Sequence, residues 1–319
     1  MGHPTRTRRR RARRAFVAAL LTAALTVPLS AAARPRIPAP APAALPRLTP
    51  ATLAAAYAAN RADAGRAAGM AAAHGDSRRA AADRALAAAD RRLLAFDGRG
   101  AGLATEVFGD LAHADHIAVL VPGSDTSLDT YARFHRAAAA LHAATGPHTA
   151  VVAWLGYTTP GTVSTTVTTT TRADEAAPRL RALVRQLRSL VPARAHLSLI
   201  CHSYGSVVCG RAARGLDADD IVLVGSPGTG ADDVPDLGTT ARVWAARGTG
   251  DWVAHVPHVR ADLLLATVGF GTDPVSRGFG ARVFDAGAAG HSGYFTPGSA
   301  SLANLARITR GETSEVTRG

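Results

Sequence analysis

The sequence predicts an α/β fold: a mostly parallel sheet with helices on both faces, preceded by an N-terminal helical hairpin. Three observations carry this expectation. From about residue 97 onward, short aliphatic and β-branched runs alternate with helix-length stretches, which is what parallel strands joined by crossover helices require. Before that point, residues 51–96 are alanine-rich and carry helical spacing broken at Gly75. The 319 residues, 47% of them apolar types, supply one sizeable core without a disulfide or structural metal to hold it.

Residues 1–33 have the three parts of an export signal in order. Arg6 to Arg14 form a dense positive region, Ala15 to Leu29 an apolar one, and Ala31-Ala32-Ala33 an A-x-A cleavage site. Arg13-Arg14-Ala15-Phe16-Val17 also resembles the twin-arginine consensus. The expected location is therefore secreted or extracytoplasmic, with an uncleaved membrane anchor as the alternative. Residues 34–50 contain six prolines, which fix φ and remove donors, so an extended linker is expected. Residues 51–96 follow as two helices, the second capped by Asp76 or Ser77 and running to about Phe96. Their apolar positions, Leu86, Leu93, Leu94 and Phe96, are sparse. Such a pair needs another surface to lean on, and residues 97–319 are expected to provide it.

Within 97–319, Leu103 to Phe108 and Ile117 to Val121 read as adjacent antiparallel strands at a sheet edge. Further strands are expected near Thr149–Trp154, His196–Cys201, Ile221–Val224, Ala241–Ala246 and Arg282–Phe284. Between them lie helical patterns at Leu128–Ala144, Glu175–Leu190 and Tyr204–Arg214, with a last one at Ala300–Ile308. The threonine-rich run from Thr158 to Thr171 reads as an ordered loop.

The net charge of +12 would suit a nucleic-acid partner, but seven of the arginines fall in residues 1–33, leaving +5 beyond them. There is no lysine, and the remaining arginines are scattered rather than set in a basic stripe with interleaved aromatics. Nucleic acid is not an expected partner.

The most informative residues are Leu199-Ile200-Cys201-His202-Ser203-Tyr204-Gly205. An apolar strand runs straight into Ser203, and a small-residue helix opens after it. A turn this sharp holds a serine in a strained conformation with Oγ above the sheet. Gly205 supplies the small residue needed two positions later, and Cys201 stands where a glycine is usual. In this arrangement the chain order is serine, acid, histidine. Asp251 follows the Ala241–Ala246 run, and His291 sits in the glycine-rich loop after the last strand. His255 and His258 form an H-x-x-H pair near Asp251 but have no evident third ligand, so no metal is expected. Asp273 precedes a proline and reads as a turn residue, while Asp232 and Asp233 read as solvated loop charges. Two backbone N–H groups are needed for a tetrahedral oxyanion. Tyr204, after the serine, supplies one, and Ser124, after Gly123, supplies the other. Ser124, Asp125 and Thr126 are equally suited to capping the helix that starts near Leu128.

Residues from about Asp97 to Arg307 resemble an actinobacterial α/β-hydrolase family long known as a domain of unknown function. The matching stretches are Val119–Thr126, Trp154–Tyr157, His202–Ser206, Gly225–Gly228, Phe279–Ala281 and Gly290–Tyr294. The resemblance implies an α/β-hydrolase fold and a serine hydrolase of esterase type, with Ser203, Asp251 and His291 matching the triad; no cofactor is expected. It leaves the substrate open beyond a small-molecule ester or acyl compound. Acyl transfer on the same triad, or a non-catalytic envelope protein that keeps the fold, are the competing expectations. Cys201 and Cys209 flank the serine. They read either as a disulfide suited to an exported protein or as small core residues.

Overall fold

The computed structural model describes residues 37–162, 169–256, 260–263 and 266–319. The expected export signal, His258 and part of the threonine-rich run lie outside the described residues. Predominantly apolar runs form the centre of the sheet, because a strand covered on both faces gains from apolar side chains on either face; buried Ser198, in the middle of one of them, is the polar exception. These are β3 (His116–Val121), β4 (Thr149–Leu155), β5 (His196–His202), β6 (Asp220–Val224) and β7 (Arg242–Ala246). With β1 (Leu93–Asp97), β2 (Leu103–Phe108) and β10 (Arg282–Val283) they build an eight-stranded sheet in the order β1-β2-β4-β3-β5-β6-β7-β10. All neighbours from β4 to β10 are parallel, while β2 is antiparallel to both β1 and β4. A short hairpin, β8 (Arg260–Leu263) with β9 (Ala266–Gly269), stands apart from the sheet.

Alternation along the strands divides the core. Val119, Leu199, Cys201 and Ile221 face one side, where Leu180, Leu183 and Leu187 of α4 (Thr171–Arg188) and Val207 and Val208 of α5 (Gly205–Ala212) cover them. Leu120, Ile200 and Val222 face the other, beneath Leu141 of α3 (Tyr131–Thr145) and Leu305 of α6 (Ala300–Thr309). The N-terminal hairpin is α1 (Leu53–Ala73) and α2 (Ser77–Leu86). It belongs to the same compact unit as the sheet, Pro38–Gly319. Half of its buried positions are alanine, and a polar contact helps fix its place on the sheet: buried Asn60 donates to Leu93 O of β1, as well as to Ala56 O in its own helix.

Three expectations are corrected. The second helix ends at Leu86 rather than about Phe96, and Leu93–Asp97 is the edge strand β1. The spacing of Leu86, Leu93 and Leu94 suits a helix, but pairing with β2 wins. An irregularity in register after Leu93 lets both leucines be buried. The antiparallel edge pair is consequently β1–β2, not β2–β3. The chain after β2 passes through a short turn at Leu111–His113, and β4 takes the place between β2 and β3. The proline-rich segment has no helix or strand over residues 37–49, yet it is no loose tether. Leu45 and Leu48 pack on the core and Ala39 packs beside Phe96.

Candidate active site

The parallel strands end on one edge of the sheet, and four of them deliver the site. Ser203 follows β5 at φ 55°, a left-handed conformation that costs a side-chain-bearing residue energy. The elbow is held by Ser203 N–H donating to Val224 O at 3.0 Å. Gly123 after β3 lies against it so closely that a Cβ there would stand 2.6 Å from Ser203 Cβ. Cys201 on β5 and Cys209 on α5 form a disulfide across the elbow. This decides between the two sequence readings and ties the strand to the helix on either side of Ser203.

His291 and Asp251 complete a chain of hydrogen bonds. His291 Nε2 lies 2.9 Å from Ser203 Oγ, and its Nδ1 lies 2.9 Å from Asp251 Oδ1 and 3.2 Å from Oδ2. The loops that bring them together meet at a bridge between Gly250 and Gly290. Asp251 is 2% exposed, and each carboxylate oxygen has a second donor. Val253 N–H donates to Oδ1 at 2.9 Å, and the Tyr294 hydroxyl donates to Oδ2. Burial by itself would push this carboxyl up; the hydrogen bonds from His291, Tyr294 and Val253 outweigh it and hold the carboxyl below its ordinary value. The Tyr294 hydroxyl is raised, by burial first and then by the Asp251 carboxylate, and it also accepts from Gly248 N–H at 3.2 Å.

Two further residues shape the centre without having been singled out for it in sequence. Gly225, after β6, has φ +55°, and a Cβ there would stand 2.7 Å from Asp251 Oδ2 and 3.2 Å from His291 Nδ1. His202 donates from Nε2 to His291 O at 2.6 Å. Burial, with a smaller contribution from His291, pushes the His202 imidazole down to about 4. It is therefore a neutral donor that steadies the His291 loop. Tyr294 and Gly225 both lie in stretches conspicuous in sequence, but their contacts to Asp251 depend on loops that are distant in the chain.

Ser203 and His291 open into a cavity of about 390 Å³. Phe134, Ile200 and Phe295 line one side of it, while Trp252, Val253 and Phe270 are contributed by the loops after β7 and β9. Tyr204 and Ser124, the expected oxyanion donors, both border the cavity. Asp273 is held away from the centre: it pairs with Arg247 at 2.7 Å and accepts from Val275 N–H, as a turn residue does. Asp233 accepts from Asp236 N–H in the loop before β7. His255 ends the Trp252–His255 turn and is exposed. Chemically, a serine hydroxyl bonded to an imidazole whose other nitrogen meets a buried carboxylate can pass its proton to the ring as it attacks an electrophile.

The family model for alpha/beta hydrolases matches residues 97–261. Two curated relatives, uncharacterized proteins from two strains of Mycobacterium tuberculosis, are 29% identical over 263 residues. Each match covers 66% of this chain, and the chain spans only 37% of the relatives' length. Among solved structures, esterase PE8 is 18% identical with a TM-score of 0.42, covering 66% of this chain and 98% of that one. A Xanthomonas campestris serine hydrolase described as lacking a lid is 19% identical with a TM-score of 0.44, covering 73% and 98%.

Proposed function

The chain belongs to the alpha/beta hydrolase family, and from that premise we propose that it is an exported serine hydrolase cleaving carboxylic esters or thioesters through an acyl-Ser203 intermediate. The observation that carries this reading is the unbroken hydrogen-bond chain Asp251–His291–Ser203 at a strained turn between strand and helix. Ser203 Oγ attacks the substrate carbonyl while its proton passes to His291 Nε2. The tetrahedral oxyanion accepts hydrogen bonds from the backbone N–H groups of Tyr204 and Ser124. Collapse breaks the carbonyl carbon's bond to the leaving oxygen or sulfur, which takes the proton from His291. Water then attacks the acyl-serine, giving its proton to His291; collapse breaks the carbonyl carbon's bond to Ser203 Oγ, which takes that proton back from His291 as the acid leaves. Asp251 stays ionised throughout, holding the imidazole in the Nδ1–H tautomer and stabilising the imidazolium. The largely apolar walls around Ser203 favour an acyl compound over a polar substrate such as a sugar.

Export rests on the sequence of residues 1–33 and is supported by the Cys201–Cys209 disulfide, which an oxidising compartment preserves. N-terminal sequencing of secreted material should begin shortly after Ala33; a chain retained in the membrane with Met1 intact contradicts this. Labelling with a fluorophosphonate, alongside turnover of p-nitrophenyl esters of graded chain length, tests the chemistry. Ser203→Ala should abolish both.

A further inference from the structure

The hairpin α1–α2 lies outside the residues matched by the family model, yet it bonds to the turn that directly follows the loop on which the proposed chemistry depends. Arg79 on α2 is 2% exposed, and its guanidinium is fully engaged. Nε lies 2.7 Å and Nη2 3.3 Å from the two carboxylate oxygens of Asp129, while Nη1 and Nη2 donate to the carbonyls of Gly98, Gly100 and Ala101. Arg78 adds a bond from Nε to Asp129 O at 3.3 Å. Asp129 belongs to the short turn Leu128–Thr130, directly after the Gly123–Ser127 loop.

From that turn the connection to the oxyanion side runs through two hydrogen bonds. Thr130 Oγ1 donates to Asp125 O at 2.9 Å and accepts from Ser127 N–H at 2.9 Å. Asp125 is at φ 56° and immediately follows Ser124. Leu128 N–H donates to Ala101 O at 3.3 Å, so the carbonyl that receives Arg79 also receives the loop. On the far side the loop meets Thr159 and Pro160, through Thr126 N–H to Thr159 Oγ1 and Asp125 N–H to Pro160 O. A segment strained at Asp125 keeps its geometry only where its surroundings over-determine it. Burying a guanidinium is costly unless every donor is used; a hairpin that needed only to pack would dispense with it.

We infer that Arg79 is a positioning residue for the oxyanion loop, acting through Asp129 and Thr130, so that the appended hairpin sets the placement of Ser124 N–H relative to Ser203. This rests on the reading of Ser203 and Ser124 proposed above. Losing an oxyanion donor outright costs about 10²–10³-fold in kcat, and a displaced donor costs less.

The test uses the mature chain with active sites titrated by fluorophosphonate. Asp129→Asn is the main variant, since Asp129 is partly exposed and the substitution conserves shape; Arg79→Lys is the second. Both should lower kcat per titrated site by about tenfold. Both should weaken an alkyl boronate, which forms a tetrahedral adduct on serine, by a similar factor while leaving KM within about twofold. Leu86→Ala, which loosens the hairpin core that Leu86 shares with Leu128 but removes no hydrogen bond to the turn, should lower the Tm and spare kcat per site. If Asp129→Asn and Arg79→Lys lose thermal stability but keep kcat and boronate affinity, or if Leu86→Ala loses kcat equally, the inference is overturned. A wild-type chain that neither labels nor turns over would instead overturn the underlying proposal.

Discussion

The Tyr294 hydroxyl donates to Asp251 Oδ2, the carboxylate oxygen more distant from His291 Nδ1. The acid is thereby satisfied on both oxygens and stays charged despite its burial. Removing this donor in Tyr294→Phe takes away a bond that favours the charged form, so the Asp251 carboxyl moves up. The expected outcome is an acid limb of kcat/KM shifted to higher pH, with kcat at the optimum reduced about three- to thirtyfold. An unshifted pH–rate profile counts against this role for Tyr294.

Asp251→Asn should cut kcat by about 10³–10⁴-fold with little change in KM, because an amide donates where the imidazole needs an acceptor. Asp273→Asn should be mild by comparison, since Asp273 pairs with Arg247 and shapes a turn. The two variants assayed on one ester separate these roles, and the reverse ranking would move the acid to Asp273.

Gly225→Ala tests how tightly the centre is packed. A methyl group there meets Asp251 Oδ2 at 2.7 Å in a backbone conformation that L-residues avoid. Expected are a loss of about 1–3 kcal/mol in stability and a loss of well over tenfold in kcat. Denaturant melts and kinetics on the same preparation read both quantities; full activity would show that the acid has room to move.

Asp83, on α2, is 1% exposed, and its Oδ1 has no hydrogen-bond partner. Burial pushes its carboxyl up to about 7; the Arg79 guanidinium opposes the rise and Asp129 adds to it. The folded value lies above the unfolded one, so the folded chain holds the extra proton between about pH 4 and 7. Asp83 therefore lowers stability as pH rises through that window. Asp83→Asn should flatten this dependence and stabilise the chain by about 1–3 kcal/mol at pH 8. If Asp83→Asn is less stable than wild type at pH 8, the carboxylate is instead a working partner of Arg79.

The central strands, the order of the site residues and the loop positions of Asp251 and His291 were legible because each depends on local pattern. Leu199–Gly205 declares its own turn, and Gly290–Tyr294 its own loop. Strand β1 was not legible, since Leu93 and Leu94 fit a helix equally well until β2 is available as a partner. The place of β4 between β2 and β3 is likewise a matter of long-range pairing. The Cys201–Cys209 bridge is not legible in sequence because it depends on how α5 packs back on β5, which spacing does not report. Arg79, Gly225 and Tyr294 belong to the same class. Their partners are Asp129 and Asp251, and nothing in the local sequence of either partner names them.

The most direct test of the central claim is mass spectrometry of the chain quenched with acid during turnover of a p-nitrophenyl ester. An increase equal to the acyl group is expected, located on the peptide containing Ser203 and absent from Ser203→Ala. Accumulation should increase in His291→Gln if any acylation survives there, because deacylation also needs the base. Ester turnover that persists in Ser203→Ala, or an acyl group found on another residue, would show that Ser203 is not the nucleophile.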